Sequence, residues 1–195
     1  MILFFALATG LLAGLGWAHW NRQPYQPPEL QHLWLVFVAF LPQFILIYLP
    51  LTRRLLPDWM VVGVLLTSQI MLLGFAWLNH RALGMSILLC GVALNLAVMT
   101  ANGGFMPISP QTASRLVSED RIREVNFGSR FGVKDILLRP QETRFESLAD
   151  RFLPPTWFPY QVAFSLGDVF IALGVFWLLA KPASSMQFTK RGIPI

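Results

Sequence analysis

Residues 83–110 read LGMSILLCGVALNLAVMTANGGFMPISP. The first 19 positions, Leu83 to Ala101, carry no charged side chain. A membrane-crossing helix needs about 17–25 such residues. Asn102-Gly103-Gly104 then breaks the pattern, because glycine accepts the left-handed conformation that ends a helix. Ser109-Pro110 follows, a helix cap with proline at the first helical position, and predicts a short helix through about Val117. One apolar span thus runs directly into a polar segment, and that change of character organises the whole chain.

Four more apolar runs lie outside this stretch: about Ile2 to Trp20, Leu33 to Leu51, Trp59 to Leu78, and Tyr160 to Ala180. Trp17, Trp20, Trp34, Trp59, Trp77, Trp157 and Trp177 all fall near segment ends, where interfacial aromatics belong. No basic residue precedes the first run, so it lacks a signal-peptide n-region and reads as a retained helix.

The expected fold is an all-α integral membrane protein with five transmembrane helices and a partly helical extramembrane insert before the last. Residues 1–101 are a four-helix transmembrane region and 102–160 a polar insert. Residues 161–180 form the fifth span and 181–195 a basic tail. Within the insert, Phe145, Leu148, Ala149 and Phe152 recur at i, i+3, i+4 and i+7. Arg144, Glu146, Asp150 and Arg151 occupy the opposite side. This predicts an amphipathic helix of about three turns in a cap packed on the bundle.

Composition agrees with this layout. Hydrophobic residues make up 55% of the 195 positions and charged residues 13%, against about 25% in soluble domains. The insert holds 8 of the 15 Lys/Arg and 7 of the 10 Asp/Glu. A disordered chain, a disulfide scaffold and an ordinary cytosolic enzyme are excluded. The single Cys90 allows no intrachain disulfide. The net charge of +5 is not concentrated, so nucleic acid is not an expected partner. The lipid bilayer is one, and other membrane subunits remain open.

Five spans place the termini on opposite faces. Arg22, Arg81, Lys181, Lys190 and Arg191 share one face, against Arg53 and Arg54 on the short loop of the other. With the long insert left out of the count, the positive-inside rule places the C-terminus in the cytoplasm and the N-terminus and insert outside it.

Asp168 is the only acidic residue within an apolar span. An ionisable group there is a functional candidate. A structural role competes, because Ser165-Leu166-Gly167-Asp168 fits a capping box. Gln43, Gln69 and Asn95 lie in the middle of their spans or toward the insert side, and Asn102 at the insert end of its own. These groups either converge on one polar cavity or make ordinary interhelical hydrogen bonds. His19, His32 and His80 sit at span ends on the face opposite the insert, which makes them weak metal candidates without ligand spacing. Gly10-x-x-x-Gly14 permits close helix approach. No cofactor motif is present, and no catalytic one.

Two stretches carry a resemblance. One runs from Asn95 to Pro110, with Asn102-Gly103-Gly104-Phe105-Met106-Pro107-Ile108-Ser109-Pro110. The other is Ser165-Leu166-Gly167-Asp168-Val169-Phe170-Ile171-Ala172-Leu173-Gly174. Together, with Lys134-Asp135 and Thr143-Arg144 in the insert, the chain resembles a family of small bacterial multi-pass membrane proteins catalogued only as a domain of unknown function. The resemblance implies a bacterial cytoplasmic-membrane protein and brings no activity and no catalytic residue. It singles out Asn102, Gly103, Gly104, Met106, Pro107, Ser109, Pro110, Gly167 and Asp168.

Both motifs lie where helices meet the insert. The expectation is therefore a junction of Asp168, Asn95, Asn102, Gly103, Gly104, Ser109 and Gly167. In it, Asp168 accepts hydrogen bonds from Asn102 or from the Gly103–Met106 amides. The expected function is a non-enzymatic accessory or scaffold subunit of a membrane complex. Binding or transport of a small molecule or ion near Asp168, and a lipid-modifying enzyme, are the alternatives.

Overall fold

The structure is a computed structural model that describes residues 2–49, 56–118, 120, 122, 125–158 and 160–181. The described chain is mostly helical with one small sheet. Helix α1 spans Ile2–Trp20, α2 Trp34–Tyr48, α3 Asp58–Leu78 and α4 Met85–Ala101. The insert contributes β1 (Met106–Ile108), the one-turn helix α5 (Pro110–Ala113), β2 (Arg130–Phe131) and β3 (Asp135–Leu137). Helix α6, Leu166–Ala180, follows. The expected 181–195 tail lies outside the described residues except for Lys181.

By length and composition, α1 and α3 can cross a membrane, which points to membrane association. The other three apolar helices, α2, α4 and α6, are shorter than the sequence suggested. Local chemistry sets their ends. Gly84, at φ +87°, starts α4, and Asn102 with Gly103 and Gly104 stops it. The Ser165 cap starts α6 five residues beyond Tyr160. At about 1.5 Å per residue, a helix of 15 residues covers about 22 Å.

The large helices pack in the neighbour order α1–α6–α4–α3–α2. Helix α6 is held on both sides through glycines. Gly10 and Gly14 of α1 lie against Phe176 and Leu179, so these two helices run parallel. Gly84 and Gly91 of α4 lie against Gly174 and Gly167, so that pair runs antiparallel. Both glycine pairs are seven residues apart, two helical turns, so they fall on one face. Ala6, Phe75, Ala76, Met85, Leu88, Val92, Ala172, Val175 and Leu178 form the core there. Asn79 clips the loop before α2 to the end of α3: its side chain accepts from Gln31 N–H and donates to Gln31 O, at 2.7 and 3.0 Å.

The insert departs from the helical expectation. β1 pairs with β3 in parallel, and β3 pairs with β2 antiparallel, in the order β1-β3-β2. The predicted helix after Ser109 forms with its cap, but its regular part ends at Ala113. The predicted amphipathic helix does not form. In its place Phe145 is left-handed at φ +57°, Glu146–Leu148 make one 3-10 turn, and Ala149 is extended. Tertiary pairing outweighs the local pattern. Asp150 N–H donates to Pro107 O on the free side of β1, and Phe152 and Phe164 exchange two backbone hydrogen bonds.

Phe105 and Met106 then bury with Leu46, Val61, Leu65, Val98 and Met99 of the helices, with Val133, Ile136 and Leu148 packed against them. Arg130 adds an ion pair to Asp58 at 3.2 Å, at the start of α3.

Candidate functional site

Three polar side chains meet where α6 begins. Ser165 Oγ accepts from Asp168 N–H at 3.0 Å, and Asp168 Oδ2 accepts from Ser165 N–H at 3.2 Å. This is a complete capping box, the structural role that the Ser-x-x-Asp spacing suggested. Asn95 of α4 closes it into a ring. Its Nδ2 donates to Asp168 Oδ1 at 2.8 Å, and its Oδ1 accepts from Ser165 Oγ at 2.7 Å. Gly167 permits the approach, because a Cβ there would run into the Asn95 side chain. The ring therefore ties the N-terminus of α6 to α4 while satisfying the amides of Ser165 and Asp168.

Asn102, two turns further on at the C-terminal cap of α4, does a different job. Its Nδ2 donates to Arg144 O at 2.8 Å, and its Oδ1 accepts from Arg144 N–H at 2.9 Å. The side chain behaves as a strand partner for the insert. The expected hydrogen bond from Asn102 or the Gly103–Met106 amides to Asp168 is absent, because the Arg144 backbone takes the Asn102 amide and Asn95 takes the carboxylate. Gly103 and Gly104 sit at φ +75° and +89°, and Gly104 lies against Val62 of α3. Ser109 caps α5, accepting from Thr112 N–H at 3.2 Å. Of the expected junction, then, Asn95, Gly167 and Asp168 come together. Asn102, Gly103, Gly104 and Ser109 secure the insert separately.

A second cluster adjoins the ring, and the periodicity of the insert concealed it. Lys134, just before β3, pairs with Asp150, and its Nζ also lies 3.4 Å from Asp135 Oδ1. Asp150 is 1% exposed, although the helical pattern assigned it to the wet side. One oxygen of Asp150 and one of Asp135 are buried without a hydrogen-bond partner. Burial, reinforced by the charges of Asp135 and Asp168, pushes the Asp150 carboxyl up to about 8 although Lys134 opposes the shift. Burial raises Asp135 as well. For Lys134, burial works to lower its affinity for a proton, but Asp135, Asp150 and Asp168 outweigh it and hold the ammonium charged above its ordinary range. Lys134-Asp135 was visible in the sequence, whereas nothing local marks Asp150, which is brought in by its backbone bond to Pro107.

The other polar candidates do not join these groups by hydrogen bonds. Gln69 Oε1 is buried without a partner. His80 Nδ1 lies 2.6 Å from Trp77 O. Among the described residues no group of three His, Cys, Asp or Glu could hold a metal ion, so His19, His32 and His80 do not assemble into a metal site. A groove of about 420 Å³ lies between α2 and α3, bordered by Val38, Pro42, Trp59, Met60, Val64 and Met71. Asp168 does not line it.

The ring has a direct test. Ser165→Ala removes an N-cap, worth about 1 kcal/mol. It also leaves the Asn95 carbonyl without its buried donor, at about 1–3 kcal/mol. Thermal unfolding in detergent should fall by several degrees. An unchanged midpoint would show that the ring does not hold α6.

No curated protein and no solved structure matches the chain. A family model does, over residues 28–180, which takes in every helix from α2 to α6, the whole insert and both clusters. The chain belongs to DUF5317, a family of unknown function.

Proposed function

We propose that the chain is a multi-pass protein of the bacterial cytoplasmic membrane, with five spans and an extracytoplasmic cap, acting as a non-enzymatic accessory or scaffold subunit. The observation that carries this reading is the outer surface of the helices. Phe4, Leu12, Phe37, Leu41, Phe44, Ile70 and Leu173 all point outward, with Phe37 at 69% exposure. Such a surface needs lipid or another apolar partner. The parallel α1–α6 and antiparallel α4–α6 contacts suit an up-down order of five spans. In this reading the shorter helices α2, α4 and α6 reach bilayer depth together with the non-helical segments at their ends.

Asp168 supports the same reading. Its two oxygens accept from Asn95 and Ser165, and the groove between α2 and α3 does not reach it. A carboxylate engaged in this way serves the joint between helices and leaves no free acid for transport chemistry.

Purification from native membranes in mild detergent tests the proposal. A defined membrane protein should co-purify in fixed ratio and persist through size exclusion. Recovery as a stable lone monomer would sink the accessory-subunit reading.

A further inference from the structure

The Lys134 cluster has more acid than the capping role of Asp168 explains. Asp135 and Asp150 belong to the two chain segments that flank β1. Asp135 is in β3, paired with Met106, and Asp150 bonds Pro107 from the other side. Both carboxyls touch the same lysine. Asp150 Oδ1 is buried with no hydrogen-bond partner, and Asp135 Oδ1, which faces Lys134 Nζ at 3.4 Å, makes no hydrogen bond either. The groups facing this point from the surrounding elements are Lys134 and Asp135 at β3, Asp150 after the 3-10 turn, and Asp168 at the start of α6. Fully ionised, they would set one positive charge against three negative ones in a site where the Asp150 side chain has no solvent contact. Buried charge without compensation is costly, and two adjacent carboxylates do not both ionise readily.

One proton on the Asp135–Asp150 pair leaves it a single negative charge for Lys134 to balance, while Asp168 has its own hydrogen bonds from Asn95 and Ser165. Asp135 and Asp150 both lie against Lys134 Nζ, which brings the two carboxyls side by side. A hydrogen bond between them requires a hydrogen on one of them, since an ionised carboxylate only accepts. We propose that Asp135 and Asp150 bind one proton between them, and that this shared proton holds the two flanking segments onto β1 and so locks the insert on the helices. Lys134 neutralises the remaining negative charge of the pair. Loss of the proton leaves two like charges on the two sides of the clamp, and the insert loosens.

The direction of the pH effect follows from linkage. A carboxyl raised in the folded state contributes stability that is complete below its unfolded value, about 3.9. That contribution is lost as pH rises toward the folded value, about 8 for Asp150. The insert should therefore be held more firmly in mild acid than at neutral pH, the reverse of an ordinary salt-bridged aspartate.

Hydrogen exchange on the whole protein in lipid nanodiscs tests the lock. After division by intrinsic rates, opening of peptides covering 105–108, 133–138 and 148–152 should rise at least about tenfold between about pH 5.5 and 7.5, within the limit of one decade per unit for one proton. Asp150→Asn, which keeps the shape and supplies a donor, should flatten that dependence. Infrared spectra of the wild type near neutral pH should contain a protonated-carboxyl band that disappears in Asp150→Asn and Asp135→Asn. Opening independent of pH in the wild type, or no protonated-carboxyl band, overturns the proposal. Because both of those measurements use the native chain, a variant that fails to fold does not rescue it.

Discussion

Gly91→Leu is expected to destroy the packing of α6 against α4. A Cβ at this position would meet Gly167 O at 2.5 Å and Ile171 N at 2.7 Å. Both are backbone atoms of the facing helix and have no rotamer to change. Overpacking a core commonly costs about 1–3 kcal/mol when side chains can shift. Here the helices themselves must separate, so a loss above about 3 kcal/mol is expected. The damage also spreads along α4, because Gly91 lies one turn from Asn95 and separation would open the Asn95–Ser165–Asp168 ring. For a chain of this size the unfolding midpoint should fall by at least about 6–12 °C, or the folded state should not be recovered from detergent. Gly74→Leu is the control, since an added Cβ at Gly74 meets nothing within 4 Å. Equal midpoints for the two variants would refute the glycine contact as the basis of the α4–α6 interface.

This interface shows where sequence reading reaches and where it stops. The Ser165–Asp168 cap was legible because its donors and acceptors lie within four consecutive residues. The Ser109-Pro110 start and the Gly103-Gly104 stop were legible for the same reason. Gly10 and Gly14 stood out through their spacing of four. Gly84 with Gly91, and Gly167 with Gly174, also share a face, but at a spacing of seven that is read less readily as a contact motif. Asn95 and Asp168 were expected in one junction, but not as direct partners: they lie 73 residues apart, and only the close approach of the two helices selects the bond.

The insert misled for a different reason. Phe145, Leu148, Ala149 and Phe152 have helical spacing, yet the same apolar residues can serve a strand edge and a 3-10 turn once β1 offers unpaired backbone groups. Period alone cannot weigh a local helix against a pairing with Pro107, 43 positions earlier. The consequence for the site is large, because the helical reading turned Asp150 outward and so separated it from Lys134. Asn102 was identified as a junction residue, but its partner is the Arg144 backbone. A side-chain amide imitating a strand leaves no signature in either segment.

Lys134→Ala should be the most damaging change in the insert, and its effect should depend on pH. Lys134 is the one cation paired with Asp150 among the described residues, and the Asp150 side chain is wholly buried. Breaking a buried pair from one side costs about 3–5 kcal/mol when the remaining group stays charged, an upper bound here because the Lys134 side chain is 39% exposed. Asp150 can avoid part of that cost by taking up a proton. In mild acid both Asp135 and Asp150 can be protonated in the variant, and the loss should shrink to about 1 kcal/mol, chiefly the packing of the lysine stem. As pH rises, protonation becomes harder and the cost approaches the upper figure. The lysine does not complicate this slope, because its folded-state proton is held more tightly than usual. Its own contribution is complete below the unfolded lysine value of about 10.4 and is lost only as pH rises through the still higher folded one. The wild type loses stability between about pH 4 and pH 8 through Asp150. Without Lys134 the carboxyl is raised further, so the fall should be steeper and continue to higher pH. Thermal unfolding of both proteins across this range provides the measurement. Lys134→Met, which keeps the stem and removes the charge, should follow Lys134→Ala at high pH and the wild type in acid. A loss that is the same at every pH would mean that Lys134 supports the insert through packing alone, with its charge idle.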